Sequence, residues 1–230
     1  MNTQIFKVVF LGDTTVGKSS ICLAIFSNVI SLDTQSTIGA SFLTKTYEID
    51  QIQVKLELWD TAGVERYRVL APMYYRGSKA IVLVYDITKK QTFENLRKWI
   101  TELKSTFSED FSPEFLLIGN KLDFEENREV TKKEGFAFAK EYSMMFEETS
   151  IKEMDNLKTM MQNFARKLIY NNWNTMCLYV KEKSVEKISE YIKNGYDVNK
   201  TNLFVIHLEY FLFQKNSQEE QQKKLIHQNK

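Results

Sequence analysis

Apolar and polar positions alternate along this chain in two rhythms. Runs of strand length stand at residues 5–11, 42–49, 54–59, 80–85, 115–119 and, more briefly, 145–147, and between them apolar residues recur at helical spacing. Residues 21–26 continue the first run as a helix. Phe93, Leu96, Trp99, Ile100 and Leu103 make the apolar face of a second helix, for which Thr92 supplies the N-cap. Thr131 with Glu134 forms a capping box for a third, and Met154, Leu157, Met161, Phe164 and Leu168 stripe a fourth. Strands alternating with helices predict an α/β fold: a six-stranded, mostly parallel sheet between helices, occupying residues 1–170. The helical stripes then belong to its core.

From Asn171 the rhythm changes. A helical pattern runs through Met176, Tyr179 and Val180 and then Val185, Ile188, Tyr191 and Ile192, with Gly195 placed as a left-handed cap. The predicted division is therefore a first domain at 1–170, a short all-α extension at 171–213, and a tail at 214–230 rich in Gln, Glu and Lys, either a solvated helix end or disordered. Residues 203–213 are the most apolar run outside the core, and such a run needs cover. Packing against the preceding hairpin or the first domain, a partner's groove and a membrane interface are the three readings. Glu209 and the shortage of basic residues weigh against the last.

Composition narrows the function classes. Thirty-one Lys and Arg against 30 Asp and Glu leave no basic field, so neither nucleic acid nor an anionic membrane is selected by charge alone. Cys22 and Cys177 make neither a disulfide framework nor a metal pattern, which points to a reducing interior. No signal-peptide pattern opens the chain, and no apolar run approaches the ~20 residues a membrane span needs. An intracellular protein is expected.

Chemistry concentrates at the carboxyl ends of the predicted strands, where open parallel sheets bind ligands. The first run is followed by Gly12-Asp13-Thr14-Thr15-Val16-Gly17-Lys18-Ser19, then Ser20 and a helix. Two glycines let successive N–H groups and the helix start face an anion; Lys18 adds a charge for β- and γ-phosphates, and Ser19 a hydroxyl for Mg²⁺. After 54–59 comes Asp60-Thr61-Ala62-Gly63, where the carboxylate can hold Mg²⁺ through water and the glycine N–H can meet a γ-phosphate. After 115–119 comes Asn120-Lys121-Leu122-Asp123, whose carboxylate can accept two hydrogen bonds from the N1–H and 2-amino group of guanine, a donor pair adenine lacks. Thr149-Ser150-Ile151-Lys152 can close over the base. Each segment alone reads equally well as a solvated turn. Four in order, each at a strand end, do not.

These motifs resemble the small Ras-like GTPases, with their P-loop G domain. Thr37-Ile38-Gly39-Ala40-Ser41-Phe42, Trp59-Asp60-Thr61-Ala62-Gly63 and Ala71-Pro72-Met73-Tyr74-Tyr75-Arg76-Gly77 are similar to segments of the Rab group, nearest its endosomal members. The resemblance covers roughly the first 170 residues. It implies GTP or GDP with Mg²⁺ as ligands, Thr37 as a second Mg²⁺ ligand beside Ser19, Asn120, Lys121 and Asp123 for guanine specificity, and Ser150, Ile151 and Lys152 around the base. Effectors and exchange factors would meet residues 37–42 and 60–76, and the protein would work in the cytosol or on endomembranes.

Three departures from the family qualify that expectation. Val64 stands where the resemblance places the water-orienting glutamine, and valine offers neither donor nor acceptor, so hydrolysis should slow by an order of magnitude or more. Ile30 aligns with the aromatic residue that packs on the guanine ring, which loosens base contact by about 1 kcal/mol. Together they predict a switch resting mostly in its GTP state. The chain closes on His227-Gln228-Asn229-Lys230 with no prenylation cysteine, so constitutive membrane attachment lacks its usual anchor. In the extension, Ile188-Ser-Glu-Tyr-Ile-Lys-Asn-Gly-Tyr-Asp-Val-Asn199 resembles the second helix and turn of an ankyrin repeat. His207-Leu208 is similar to the start of another, with Phe204 and Val205 in place of Thr-Pro. Two functions are open: a Rab-type GTPase recruiting effectors in vesicle traffic, or a hydrolysis-deficient GTP-binding module whose extension carries a protein contact.

Overall fold

The computed structural model describes residues 3–27, 39–49, 52–61, 71–107 and 113–181. The chain divides into a compact unit, Thr3–Ile169, and a second, Tyr170–Lys230; the first carries all the strands below.

All six expected strands form: β1 (Thr3–Leu11), β2 (Ala40–Ile49), β3 (Ile52–Thr61), β4 (Ala80–Asp86), β5 (Glu114–Asn120) and β6 (Met145–Glu148). Their order in one sheet is β2-β3-β1-β4-β5-β6. Among the described strands only β2 and β3 run antiparallel; the other neighbours are parallel. Continuity of apolar character explains the centre: every residue of Ala80–Asp86 is buried, as a parallel strand covered on both faces requires. Edge strand β2 instead alternates at Tyr47, Glu48 and Ile49, with the glutamate outside.

Helices are α1 (Lys18–Ser27), α2 (Ala71–Tyr75), α3 (Lys90–Glu94), α4 (Leu96–Thr106), α5 (Lys132–Glu141) and α6 (Met154–Lys181). The capping box forms at α5: Thr131 accepts from the Glu134 N–H while the Glu134 carboxylate accepts from the Thr131 N–H at 2.8 Å. Along α6, Leu157, Met161, Phe164 and Leu168 are buried as their spacing predicts. Thr92 does not cap a helix. The helix begins earlier, with Lys89 at the N-cap, and Asn95 divides the expected apolar face between α3 and α4. Thr92 is spent on the turn after β4: its Oγ1 accepts from the Asp86 N–H (3.0 Å) and donates to the Lys89 carbonyl (2.7 Å). The core on this side of the sheet joins Leu11, Leu83, Tyr85, Leu96, Trp99, Leu117 and Phe138.

The sheet order has one functional consequence. The chain leaves β1 towards β2 and β3 on one side and returns to β4 on the other, so the crevice where strand order reverses opens beyond the carboxyl ends of β1, β3 and β4. The loop after Leu11 lies there.

The ankyrin-like segment, residues 203–213 and the tail lie outside the described residues; so do the side chains of Met176, Tyr179 and Val180, whose backbone belongs to α6.

Candidate functional site

The loop between β1 and α1 is wrapped tightly enough that its glycines cannot be replaced. Gly12 has φ +144°, and a Cβ there would sit 2.2 Å from the Val84 carbonyl oxygen; Gly17 has φ +97°, and its Cβ would sit 2.3 Å from Asn120 Nδ2. Thr15 is the exception to the glycine rule: a β-branched residue at φ +63°, in the left-handed region. The first helical hydrogen bond of α1 runs from the Ile21 N–H to the Gly17 carbonyl at 3.0 Å, so the amides of the preceding turn start the helix facing the loop.

Lys18 is buried, 5% exposed, and folds back over the loop to donate from Nζ to the carbonyls of Gly12 (2.9 Å) and Asp13 (2.8 Å). Burial pushes its ammonium down to about 8, opposed by the carboxylates of Asp60 and Asp13. A buried cation held only by carbonyls and nearby carboxylates is a ready partner for an anion. Ser19 and Ser20 are half-buried in the first turn of α1, and Thr14 and Thr15 are exposed. Asp60 and Thr61 are buried at the end of β3, where the Thr61 hydroxyl donates to the Phe10 carbonyl at 2.6 Å.

A second cluster forms beyond β5 and β6. Asn120 donates from Nδ2 to the Val16 carbonyl at 2.8 Å, tying this cluster to the first loop; its Oδ1 is buried and has no partner among the described residues. Lys121, at φ +71°, swings the chain into a 3₁₀ turn, Leu122–Asn127, and its Nζ pairs with Asp86 Oδ2 at 2.7 Å. Asp86 is fully buried, with Oδ1 accepting from the Thr88 N–H (2.9 Å) and hydroxyl (2.7 Å). Asp123 accepts from the Ser150 hydroxyl at 2.7 Å and pairs with Lys152 Nζ at 2.8 Å, while the Lys152 N–H donates to Ser150 Oγ at 3.1 Å. Burial would raise the Asp123 carboxyl, but the hydrogen bonds from Lys152 and Ser150 outweigh it and hold it below the usual carboxylate range. Ile151 is half-buried in the same turn. Backbone bonds lock the two loops together, from the Leu122 N–H to Thr149 (3.1 Å) and from the Thr149 N–H to Gly119 (2.9 Å).

Residues 12–20, 60, 120, 121, 123 and 150–152 thus gather beyond the strand ends, and Ile30, Thr37, Gly63 and Val64 lie outside the described residues. Asp13 contributes backbone to the loop but turns its carboxylate away, towards Asn95 and Trp99. Sequence reasoning passed over Asp86, Arg128 and Glu148. Asp86 could have been found, because it ends the most apolar strand and an acid there is out of pattern. Arg128 and Glu148 carried no such signal.

The family model described as "Ras family" matches residues 7–170. The chain belongs to the Ras family. Among the relatives of this Ras-family chain, Ras-related protein Rab-18-B of Danio rerio is 40% identical over 163 residues, covering 71% of this chain and 78% of that protein. Ras-related protein Rab11D of Nicotiana tabacum is 45% identical over 154 residues, 67% and 68% of the two chains. Ras-related protein Rab11A of Lotus japonicus is 42% identical over 178 residues, 77% of each. It is a small GTPase of Rab type, and such proteins bind GTP or GDP with Mg²⁺. Its residues fit those ligands. The free acceptor on Asn120, the buried cation of Lys18 and a loop whose two glycines leave no room for a Cβ are features a bound nucleotide would use. No cluster of three His, Cys, Asp or Glu occurs among the described residues. Mg²⁺ on a nucleotide needs none, taking a hydroxyl or carboxylate, phosphate oxygens and waters. No helix among the described residues is long and apolar enough to cross a membrane.

Proposed function

We propose that this Rab-type GTPase is a guanine-nucleotide switch of vesicle traffic whose binding apparatus is complete and whose hydrolysis is slow. The observation that carries the first half is the Asp123 carboxylate, held ionised and aimed by Ser150 and Lys152 while Asn120 ties it to the phosphate loop. A carboxylate fixed by two donors on its outer side presents its remaining lone pairs to the N1–H and 2-amino donors of guanine. Lys121 covers the base while Asp86 holds its ammonium, and the turn at 150–152 closes the other side. Gly12 to Gly17 present backbone N–H groups to the phosphates, Lys18 leaves its two carbonyls for the β- and γ-phosphates, and Ser19, Thr37 and, through water, Asp60 hold the metal. Mg²⁺, when bound, neutralises charge on the β- and γ-phosphate oxygens.

Val64 carries the second half. Phosphoryl transfer is catalysed by positioning and electrostatics, and Lys18, Thr37 and the Gly63 N–H serve the phosphate while nothing at Val64 orients the attacking water. Ile30 covers the base without aromatic stacking, so nucleotide leaves faster, and both effects favour the GTP state wherever GTP exceeds GDP.

An effector surface follows from the sheet edge. Phe42 is 50% exposed and meets Trp59 edge-on with centroids 5.3 Å apart; Tyr74 extends the cluster at 6.3 Å, and Met73 is 71% exposed beside it. Phe42, Met73 and Tyr74 belong to 37–42 and 60–76, the segments proposed to meet effectors and exchange factors, and Trp59 packs between Phe42 and Tyr74. The second reading, a hydrolysis-deficient module with its protein contact in residues 171–213, is favoured by the same Val64. Single-turnover GTP hydrolysis by wild type and Val64→Gln tests the proposal: the variant should be faster by about tenfold or more. A wild type hydrolysing as fast as Val64→Gln refutes the account of Val64, and a Val64→Gln variant that stays slow favours the module.

A further inference from the structure

The phosphate loop contains a conformation that glycine should occupy and threonine does. Thr15 has φ +63°, a region a β-branched side chain enters only under compulsion, and such a residue persists only where its surroundings over-determine it. Its own side chain is exposed and cannot supply the constraint. Three pins hold the segment around it. Lys18 Nζ grips the carbonyls of Gly12 and Asp13, and Asn120 Nδ2 grips the carbonyl of Val16. Both pins lie in the nucleotide-binding motifs, and a phosphate or a base would compete for or share them.

The donors of the third pin lie in none of these motifs. Asp13 Oδ2 accepts from Asn95 Nδ2 at 2.7 Å and Oδ1 accepts from Trp99 Nε1 at 3.2 Å, so both carboxylate oxygens are anchored on the start of α4. Asn95 sits between α3 and α4, and Trp99 is 3% exposed one turn on, packed in the core. A half-buried Asn95 and a buried Trp99 on the start of one helix make a rigid anchor, and carboxylate acceptors form the stronger class of hydrogen bond. We infer that Asp13, Asn95 and Trp99 form a clamp that holds the strained phosphate loop in its anion-binding shape, making Asn95 and Trp99 positioning residues for nucleotide retention. Residues 95–99 thereby acquire a grip on nucleotide release through the loop's shape.

The inference rests on the reading of this loop as the nucleotide cradle, and one experiment separates the two. Dissociation of a fluorescent GDP analogue in Mg²⁺ is followed for wild type, Asn95→Ala, Trp99→Phe, Thr15→Gly and Asn95→Ala with Thr15→Gly, alongside thermal melting of each with GDP bound. Asn95→Ala should release nucleotide about tenfold faster and Trp99→Phe, which keeps the ring and loses the donor, by a smaller factor in the same direction. Thr15→Gly placed in the Asn95→Ala chain should return most of the lost retention, because glycine takes a positive φ without being held there. That rescue is the signature, since a merely structural loss at Asn95 would not be repaired at residue 15. Asn95→Ala releasing at the wild-type rate overturns the clamp while leaving the cradle intact. Faster release that Thr15→Gly leaves untouched, with a matching fall in melting temperature, also overturns it. A wild type that retains no guanine nucleotide overturns the functional reading, and the clamp with it.

Discussion

Arg128 gives the sharpest test of what holds the base-side loops together. It follows the 3₁₀ turn Leu122–Asn127, and its guanidinium reaches three groups at once. Nη1 and Nη2 each donate to Glu148 at 2.8 Å, Nη1 also donates to the Val130 carbonyl at 2.7 Å, and Nε donates to Glu125 at 2.9 Å. The two carboxylates differ in one decisive respect: the Glu148 side chain is 3% exposed and that of Glu125 is 62%. Arg128→Met therefore strands a buried charge, which costs about 3–5 kcal/mol, whereas Glu125→Ala loses an exposed pair worth at most about 1 kcal/mol. In a chain of this size each kcal/mol moves the melting midpoint by about 2–4 °C, so Arg128→Met should lower it by roughly 6–20 °C and Glu125→Ala by no more than about 4 °C. Arg128→Met combined with Glu148→Leu should regain most of the loss, because an apolar pair of similar volume replaces a buried ion pair at little cost. Scanning calorimetry with saturating GDP and Mg²⁺ reads all four chains. Equal losses from Arg128→Met and Glu125→Ala, or a double variant as unstable as Arg128→Met alone, would refute the reasoning.

Gly12→Ala should abolish stable nucleotide binding, because the new methyl meets a backbone carbonyl at 2.2 Å where neither partner can rotate away; a variant that melts and binds GDP like wild type would sink this. The pH dependence of GDP affinity tests Asp123. Burial opposes ionisation there and the Lys152 and Ser150 hydrogen bonds overcome it, so the folded carboxyl titrates below its unfolded value of about 3.9. Its contribution is accordingly present above that value and lost only as pH falls through the lower folded one. Lys152→Met removes the strongest lowering contact and should move the acid loss of binding to higher pH, and an acid limb that does not move contradicts the assignment.

How much of this was legible in the sequence depended on whether a feature is local. Strands such as 80–85 announced themselves because a fully covered parallel strand must be apolar throughout, and the capping box at Thr131 and Glu134 is a four-residue device. The phosphate loop was legible for the same reason: a strand, two glycines, a lysine and a helix start lie within one stretch. Thr92 misled because its cap signature is real but a tighter claim existed, the turn after Asp86, which needed its hydroxyl. Non-local pairs left no trace. Asp13 and Trp99 are 86 positions apart, and Asn120 reaches the Val16 carbonyl across 104. No periodicity joins such positions; the sheet order, which puts β1 beside β4 and β4 beside β5, brings them together.

Retention and turnover then fall to different parts of the molecule. Several groups of the proposed site are anchored to a strand end or helix start, with Lys18 on α1, Asn120 on β5, Asp60 at the end of β3 and Asp86, which holds Lys121, at the end of β4. Their positions are set before ligand arrives, and affinity depends on that preorganisation more than on the number of contacts. Val64 lies outside the described residues; under the proposed function, valine in place of glutamine would alter what orients a water without altering what holds the nucleotide. The clamp inferred from Asp13 to α4 makes the complementary case, since loosening it should change how long nucleotide stays while the chemistry at the γ-phosphate, which the proposed function assigns to residue 64, should keep its own rate.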